Sequence, residues 1–272
     1  MGGMNTHPFD AGVALQPAGE GRFLGHTHPD WGNMVGPFGG ITAAQLLRAA
    51  CIDPRALGEP LALTVNFAAG VADGPFEVEA QPARTNRSTQ HWLITQRQGG
   101  QVCSTATAVF AVRRPTWQSG ELVMPAVPPA DQVPVDTRGP PIAWPKRYEL
   151  RFVEGGWPDY RQPRDVAESR TLVWMRDNPP RPLDAPALAA IADVFYPRIF
   201  KRRQRFTPAG TVSISTYFHA DRAALAAQGD RAVLGVAQGQ RFVNGFFDQT
   251  AGIWGDDGQL LASSHQVVYF KE

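Results

Sequence analysis

The sequence predicts an α+β protein made of two units of one design, each an apolar helix wrapped by an antiparallel sheet. Three observations carry the prediction. Proline crowds the middle of the chain, each flank holds a helix followed by strongly β-forming segments, and both flanks end in hairpins that exit through Gly-Gln.

The first unit begins with FGGITAAQLLRAACI, whose Ala, Leu and Gln favour a buried helix. Gly39 and Gly40 stand at its start, where Ser or Asp would cap it more firmly. Two readings fit the pair. Glycine leaves the first-turn N–H groups open to an oxyanion and lets a substrate carbonyl approach without meeting a Cβ; it also suits a tight turn into a buried helix. Strands follow in PLALTVNFAAGV, GPFEVEAQPAR, TQHWLITQRQGG and QVCSTATAVFAV.

Eight of the 24 prolines then fall between Pro115 and Pro145, which bars a continuous helix or central strand there. The expected division is an amino-terminal unit over 1–114, a proline-rich linker over 115–145 and a carboxy-terminal unit over 146–272. In the second unit KRYELRFVEGG and ESRTLVWMRD supply opening strands. DAPALAAIADVFYPRIF reads as one helix, with Asp184 as its cap and Pro186 inside the first turn. GTVSISTYFHA, RAVLGVAQGQ, FVNGFFDQTAGIWGDDG and QLLASSHQVVYF read as strands. The hairpin exits at Gly100-Gln101 and Gly258-Gln259 mark a weak internal repeat, and two such units could pair sheet to sheet.

Composition narrows the function. The 26 basic and 25 acidic side chains leave a net charge of +1, so nothing global attracts nucleic acid or an anionic membrane, and neither is expected as a partner. MGGMNTHPFD lacks a basic start followed by an apolar core, and no run reaches the ~18 apolar residues of a membrane span. Cys51 and Cys103 stand alone, without disulfide or zinc spacing, which fits a reducing cytoplasm. GxSxG, GxxxxGK[ST], GxGxxG and HExxH are all missing, and the six histidines show no ligand spacing; no cofactor and no metal are expected.

What remains is a set of polar residues inside apolar elements. Asp193 interrupts the second helix, where a carboxylate has poor propensity and is costly to desolvate; it either marks a site or lies on the solvent edge. Gln266 shares a strand face with Leu260, Ala262, Ser264, Val268 and Phe270, so it faces the core and needs partners there. Alternation in GTVSISTYFHA packs Val212, Ile214 and Phe218 inward and turns Thr211 away, unless a bulge returns it. The run Lys201 to Arg205 suits the negative end of the second helix, or alternatively a clamp for phosphate groups. His219 and His265 lie on strands with no evident acid partner and read as structural.

The opening FGG, the AD within the second helix, the YFHA strand end and the closing DGQLLASSHQ together resemble the acyl-CoA thioesterase II-like family of double hotdog proteins. The resemblance covers nearly the whole chain. It implies a double hotdog fold, acyl-coenzyme A as substrate, and a catalytic Asp, Thr and Gln that fall on Asp193, Thr211 and Gln266. In that mechanism the acid activates a water held by the other two, and a helix start such as that at Gly39 and Gly40 supplies oxyanion donors. Aligning the hairpins sets Gln266 on Ala108, so the first unit looks catalytically degenerate.

Two further readings stand beside hydrolysis. An enoyl-CoA hydratase would need D-x-N-x-x-H, which DWGNMVG at Asp30 does not provide. A non-catalytic acyl-CoA-binding or scaffold protein would bind without turnover. Acyl chain length and self-association into a homo-oligomer are left open by the sequence.

Overall fold

The computed structural model describes residues 6–272; the first five residues of the amino-terminal segment discussed above lie outside it. A short helix α1 (Pro8–Gly12) and strands β1 (Leu15–Pro17) and β2 (Arg22–His26) lead to the long helix α2 (Gly39–Ile52). Helix α2 is buried on nearly every side, as a helix enclosed by a curved sheet must be. It stops at Asp53, which is extended, as expected of a residue followed by proline. The enclosing strands are β3 (Glu59–Phe67), β4 (Pro75–Thr85), β5 (Thr89–Gln98) and β6 (Gln101–Ala111).

The second half repeats the plan with β7 (Tyr148–Glu154), β8 (Thr171–Asp177), helix α3 (Ala185–Ile191), helix α4 (Arg198–Arg203) and β9 (Ala209–Phe218). Helix α5 (Arg222–Gln228) and strands β10 (Val233–Gln238), β11 (Phe242–Val243), β12 (Phe246–Trp254) and β13 (Leu260–Phe270) complete it. Helix α5, capped by Asp221 through the Ala224 N–H, was not read from the sequence. The predicted hairpins are present, and Gly100 and Gly258 both take positive φ, of 81° and 86°.

Two expectations are corrected here. The units do not stack sheet to sheet; they join edge to edge in one antiparallel sheet of order β1-β2-β4-β5-β6-β3-β9-β13-β12-β10-β8-β7. Strands β3 and β9 zip together from Ala62↔Tyr217 to Asn66↔Ser213, so each unit covers the edge the other would expose. The second correction concerns the helix expected to run through Asp193. Helix α3 ends at Ile191, and the chain turns through Ala192 and Asp193 before α4 restarts behind Pro197. Proline cannot continue a helix and disfavours helical backbone in the residue before it, which breaks the run.

Matching bulges distort the two central strands. On β3, Pro60 pairs with Phe110 and Ala62 with Val109, leaving Leu61 extra; on β9, Thr211 pairs with Val268 and Ser213 with Val267, leaving Val212 extra. Helices α2 and α3 pack against each other inside the sheet, and their apolar residues form one core that spans both halves. Residues 115–145 hold only short 3₁₀ turns; their middle lies along the second half and their end packs against the first. Trp174 Nε1 donates to the Pro128 carbonyl at 2.9 Å, and Trp144 stacks on Phe38 with ring centroids 4.3 Å apart.

Candidate active site

Asp193, Thr211 and Gln266 come together. Gln266 Nε2 donates to Asp193 Oδ1 at 2.9 Å, and Thr211 Oγ1 donates to Gln266 Oε1 at 3.4 Å. Each reaches this point for a separate local reason. Strand alternation turns Gln266 inward between the buried Ser264 and Val268. Thr211 arrives through the bulge. The extra Val212 is turned outward, against its expected inward packing, and Thr211 is left opposite the buried Val268. Asp193 is delivered by the turn that ends α3, where its N–H still donates to the Ala190 carbonyl.

The fourth component is the start of α2. Its N-cap is Phe38, which offers no side-chain acceptor, so the first-turn N–H groups have no capping side chain of their own. Asp193 faces them from the other half of the chain: a Cβ built on Gly39 would lie 2.7 Å from Asp193 Oδ2, and the Gly40 N–H favours the charged form of its carboxylate. Gly40 is required by packing as well, since a Cβ there would meet the Phe38 ring at 2.4 Å and the Ala190 carbonyl at 2.6 Å. The ring of Phe67 closes the other side of Gly39.

The electrostatics follow from this enclosure. Protein closes around Asp193 although the residue keeps some solvent contact, and burial pushes its carboxyl up to about 7. The donors from Gln266 and Gly40 oppose that rise, because they favour the charged form. A carboxylate that titrates near neutrality can both take and return a proton at physiological pH.

Several residues around the site were not read from the sequence. Tyr148 is buried, its hydroxyl has no hydrogen-bond partner among the described residues, and burial with the carboxylates of Asp177 and Asp193 pushes its titration well up. Arg198 is fully buried; it donates to the Tyr196 and Ser169 carbonyls and to Thr171 Oγ1, which ties the Asp193 turn to β8. Pro197-Arg198 immediately after an apolar run was the available signal.

The remaining candidates lie elsewhere. Lys201, Arg202 and Arg203 occupy the last turn of α4, where cations are favoured. Arg203 is held by Asp165 and Glu272, and Arg205 by Glu272, beside a surface cavity of about 430 Å³ that Arg202, Phe242 and Phe270 also line. His265, expected to lack an acid partner, lies 3.2 Å from Asp248 Oδ2 on the outer face, and His219 meets the Ser263 hydroxyl.

A central helix wrapped by an antiparallel sheet, twice over and fused edge to edge, is the double hotdog architecture, and this chain is a double hotdog thioester hydrolase. Its residues 27–111 match the model of the acyl-CoA thioesterase N-terminal domain, and residues 125–270 match that of the acyl-CoA thioesterase C-terminal domain. The chain belongs to the acyl-CoA thioesterase family.

Among solved structures it is similar to a hot dog fold protein of unknown function from Alicyclobacillus acidocaldarius, at 48% identity and TM-score 0.94, covering 98% of this chain and 99% of the other. A putative thioesterase II from Thermobifida fusca shares the fold at 19% identity and TM-score 0.82, over 99% and 100% of the two chains. The acyl-CoA thioesterase II TesB2 of Mycobacterium marinum does so at 21% identity and TM-score 0.74, over 97% and 98%. A search of curated proteins returned no match.

Proposed function

We propose that the enzyme hydrolyses an acyl-coenzyme A to free acid and coenzyme A, with Asp193 as general base. Asp193 takes a proton from a water that Thr211 and Gln266 hold in line with the thioester carbon. The water oxygen bonds to that carbon, and the carbonyl oxygen becomes an oxyanion beside the start of α2. There the Gly39 N–H receives it, while the Gly40 N–H serves mainly to hold Asp193. Collapse of the intermediate breaks the C–S bond, and Asp193 returns its proton to the departing thiolate. A thiolate leaves readily, so no covalent enzyme intermediate is needed.

The observation that carries this reading is the continuous chain from Thr211 through Gln266 to Asp193, ending on the uncapped helix start. A thiol-reactive dye tests it. Acyl-CoA is expected to yield free thiol with the wild type and almost none with Asp193→Asn of intact fold. Wild-type turnover by that variant overturns the mechanism, and acyl-CoA binding in a calorimeter with no thiol release by the wild type overturns catalysis.

A further inference from the structure

Gln266, Val268 and Phe270 follow one another along the inner face of β13. Two alternate steps of about 7 Å each put Phe270 roughly 14 Å from Gln266. Helix α4 begins at Arg198, on the segment that follows Asp193. Between Phe270 and α4 opens the surface cavity of about 430 Å³, closed on a further side by Phe242 and the β11–β12 hairpin. Two of its walls therefore continue the elements that carry Gln266 and Asp193, and its size falls within the roughly 300–1,000 Å³ of small-molecule sites.

The cations at this cavity are not equivalent. Glu272 holds Arg203 and Arg205 at the rim. Arg202 pairs with no carboxylate among the described residues, and its Nη1 is buried without a hydrogen-bond partner among them. Its guanidinium lies 5.7 Å from the centroid of the Phe242 ring, so an aromatic contact holds it in place and leaves its fork available. A planar fork of N–H donors beside the side chains of Phe242 and Phe270 suits a phosphate that carries an aromatic base. The groove over β2, β4 and β5 also carries arginines, but Arg22 faces Glu79 and Arg97 faces Glu77 across the ladder, which leaves it no excess of positive charge.

We infer that the cavity binds the adenosine bisphosphate end of coenzyme A, with Arg202 on a phosphate and Phe242 and Phe270 against the nucleoside. This rests on the proposed hydrolysis at Asp193, which places the thioester sulfur beside Gln266. From that sulfur to the pyrophosphate, the pantetheine arm has about as many chain bonds as four residues of peptide, or about 14 Å when extended. The arm thus spans the interval from Gln266 to Phe270. The run Lys201 to Arg205 divides accordingly: Arg203 and Arg205 close the rim through Glu272, and Arg202 meets the ligand.

The test compares octanoyl-CoA with octanoyl-pantetheine by thiol release, since the second keeps the thioester and the arm but lacks the nucleotide. The wild type is expected to favour octanoyl-CoA in kcat/KM by about tenfold or more, the worth of one charge-assisted hydrogen bond. In Arg202→Met that ratio is expected to fall toward one. A wild-type ratio of one or less overturns the inference, as does an unchanged ratio in the variant; should Arg202→Met not fold, Arg202→Gln carries the same comparison. Calorimetry with adenosine 3′,5′-bisphosphate reads the cavity without turnover. Binding to the wild type is expected to exceed that to the variant by about tenfold, and inorganic phosphate to bind far more weakly. Equal affinity for the two anions overturns the contact with the nucleoside. Wild-type protein that releases no thiol from either substrate fails the proposed hydrolysis instead, and the bisphosphate affinities then decide the cavity alone.

Discussion

The side-chain amide of Gln266 bonds Asp193 at 2.9 Å and does so in the sense that favours a charged carboxylate. Burial alone would drive Asp193 further toward its neutral form, so Gln266 lowers the pH at which its carboxylate forms.

Removing that amide therefore moves the acid limb of the rate profile. With the wild type, kcat/KM for an acyl-CoA is expected to fall as pH drops below about 7, the value to which Asp193 is raised. In Gln266→Leu the limb shifts to higher pH and the plateau drops. A limb that stays in place would separate Gln266 from the titration of Asp193.

Stability responds to pH in the opposite sense. Asp193 is raised from the ordinary 3.8 to about 7, so in this range the folded protein holds a proton that the unfolded chain has released. The contribution of the neutral carboxyl is complete below about 4 and is lost as pH rises through about 7. Asp193→Asn is expected to match the wild type in stability at pH 4 and to exceed it at pH 8, by on the order of 1–2 kcal/mol after solvent screening of a partly exposed group, with a correspondingly higher Tm. Thermal melts at the two pH values check it.

The two glycines of the α2 start should separate. In Gly39→Ala the new methyl meets the carboxylate of Asp193, a side-chain end that can shift, so kcat falls while Tm changes little. In Gly40→Ala it meets the Phe38 ring and the Ala190 backbone carbonyl, and overpacking of that kind costs about 1–3 kcal/mol. Paired melts and rate measurements distinguish the two outcomes.

Arg198 anchors the turn that presents Asp193. Replacing it with Met leaves the Ser169 and Tyr196 carbonyls and the Thr171 hydroxyl short of a donor, at about 1–3 kcal/mol for each group that finds no new partner. Arg198→Met is expected to lower both Tm and kcat, and Arg198→Lys to recover part of each. Retained kcat in a folded Arg198→Met would show that the turn holds Asp193 without it.

The central helix of the first unit, the start of that in the second, the strands that follow them, the hairpins and the inward face of Gln266 were legible in the sequence. Each depends on periodicity or turn chemistry within about ten residues, which backbone sterics impose wherever the segment ends up. Asp193 was legible as an anomaly, but its position just beyond α3 was not, because a helix signal continued into the aromatic run ahead of Pro197. The parity of Thr211 was also hidden. One extra residue reverses every side chain beyond it, and only pairing with β13 reveals that Val212 is that residue.

The sequence by itself determined the two-unit α+β plan, the start of each central helix, the strands that follow it, and the polar residues Asp193, Thr211 and Gln266 that stand out among apolar neighbours. Only the tertiary structure decided that the units fuse edge to edge, that a bulge turns Thr211 inward, and that the carboxylate of Asp193 meets the helix start at Gly39 and Gly40. Gln266 and Asp193 are 73 residues apart, and Gly40 is more distant still. Contacts over such separations have no local signature, because they exist only once the whole sheet has closed around both helices.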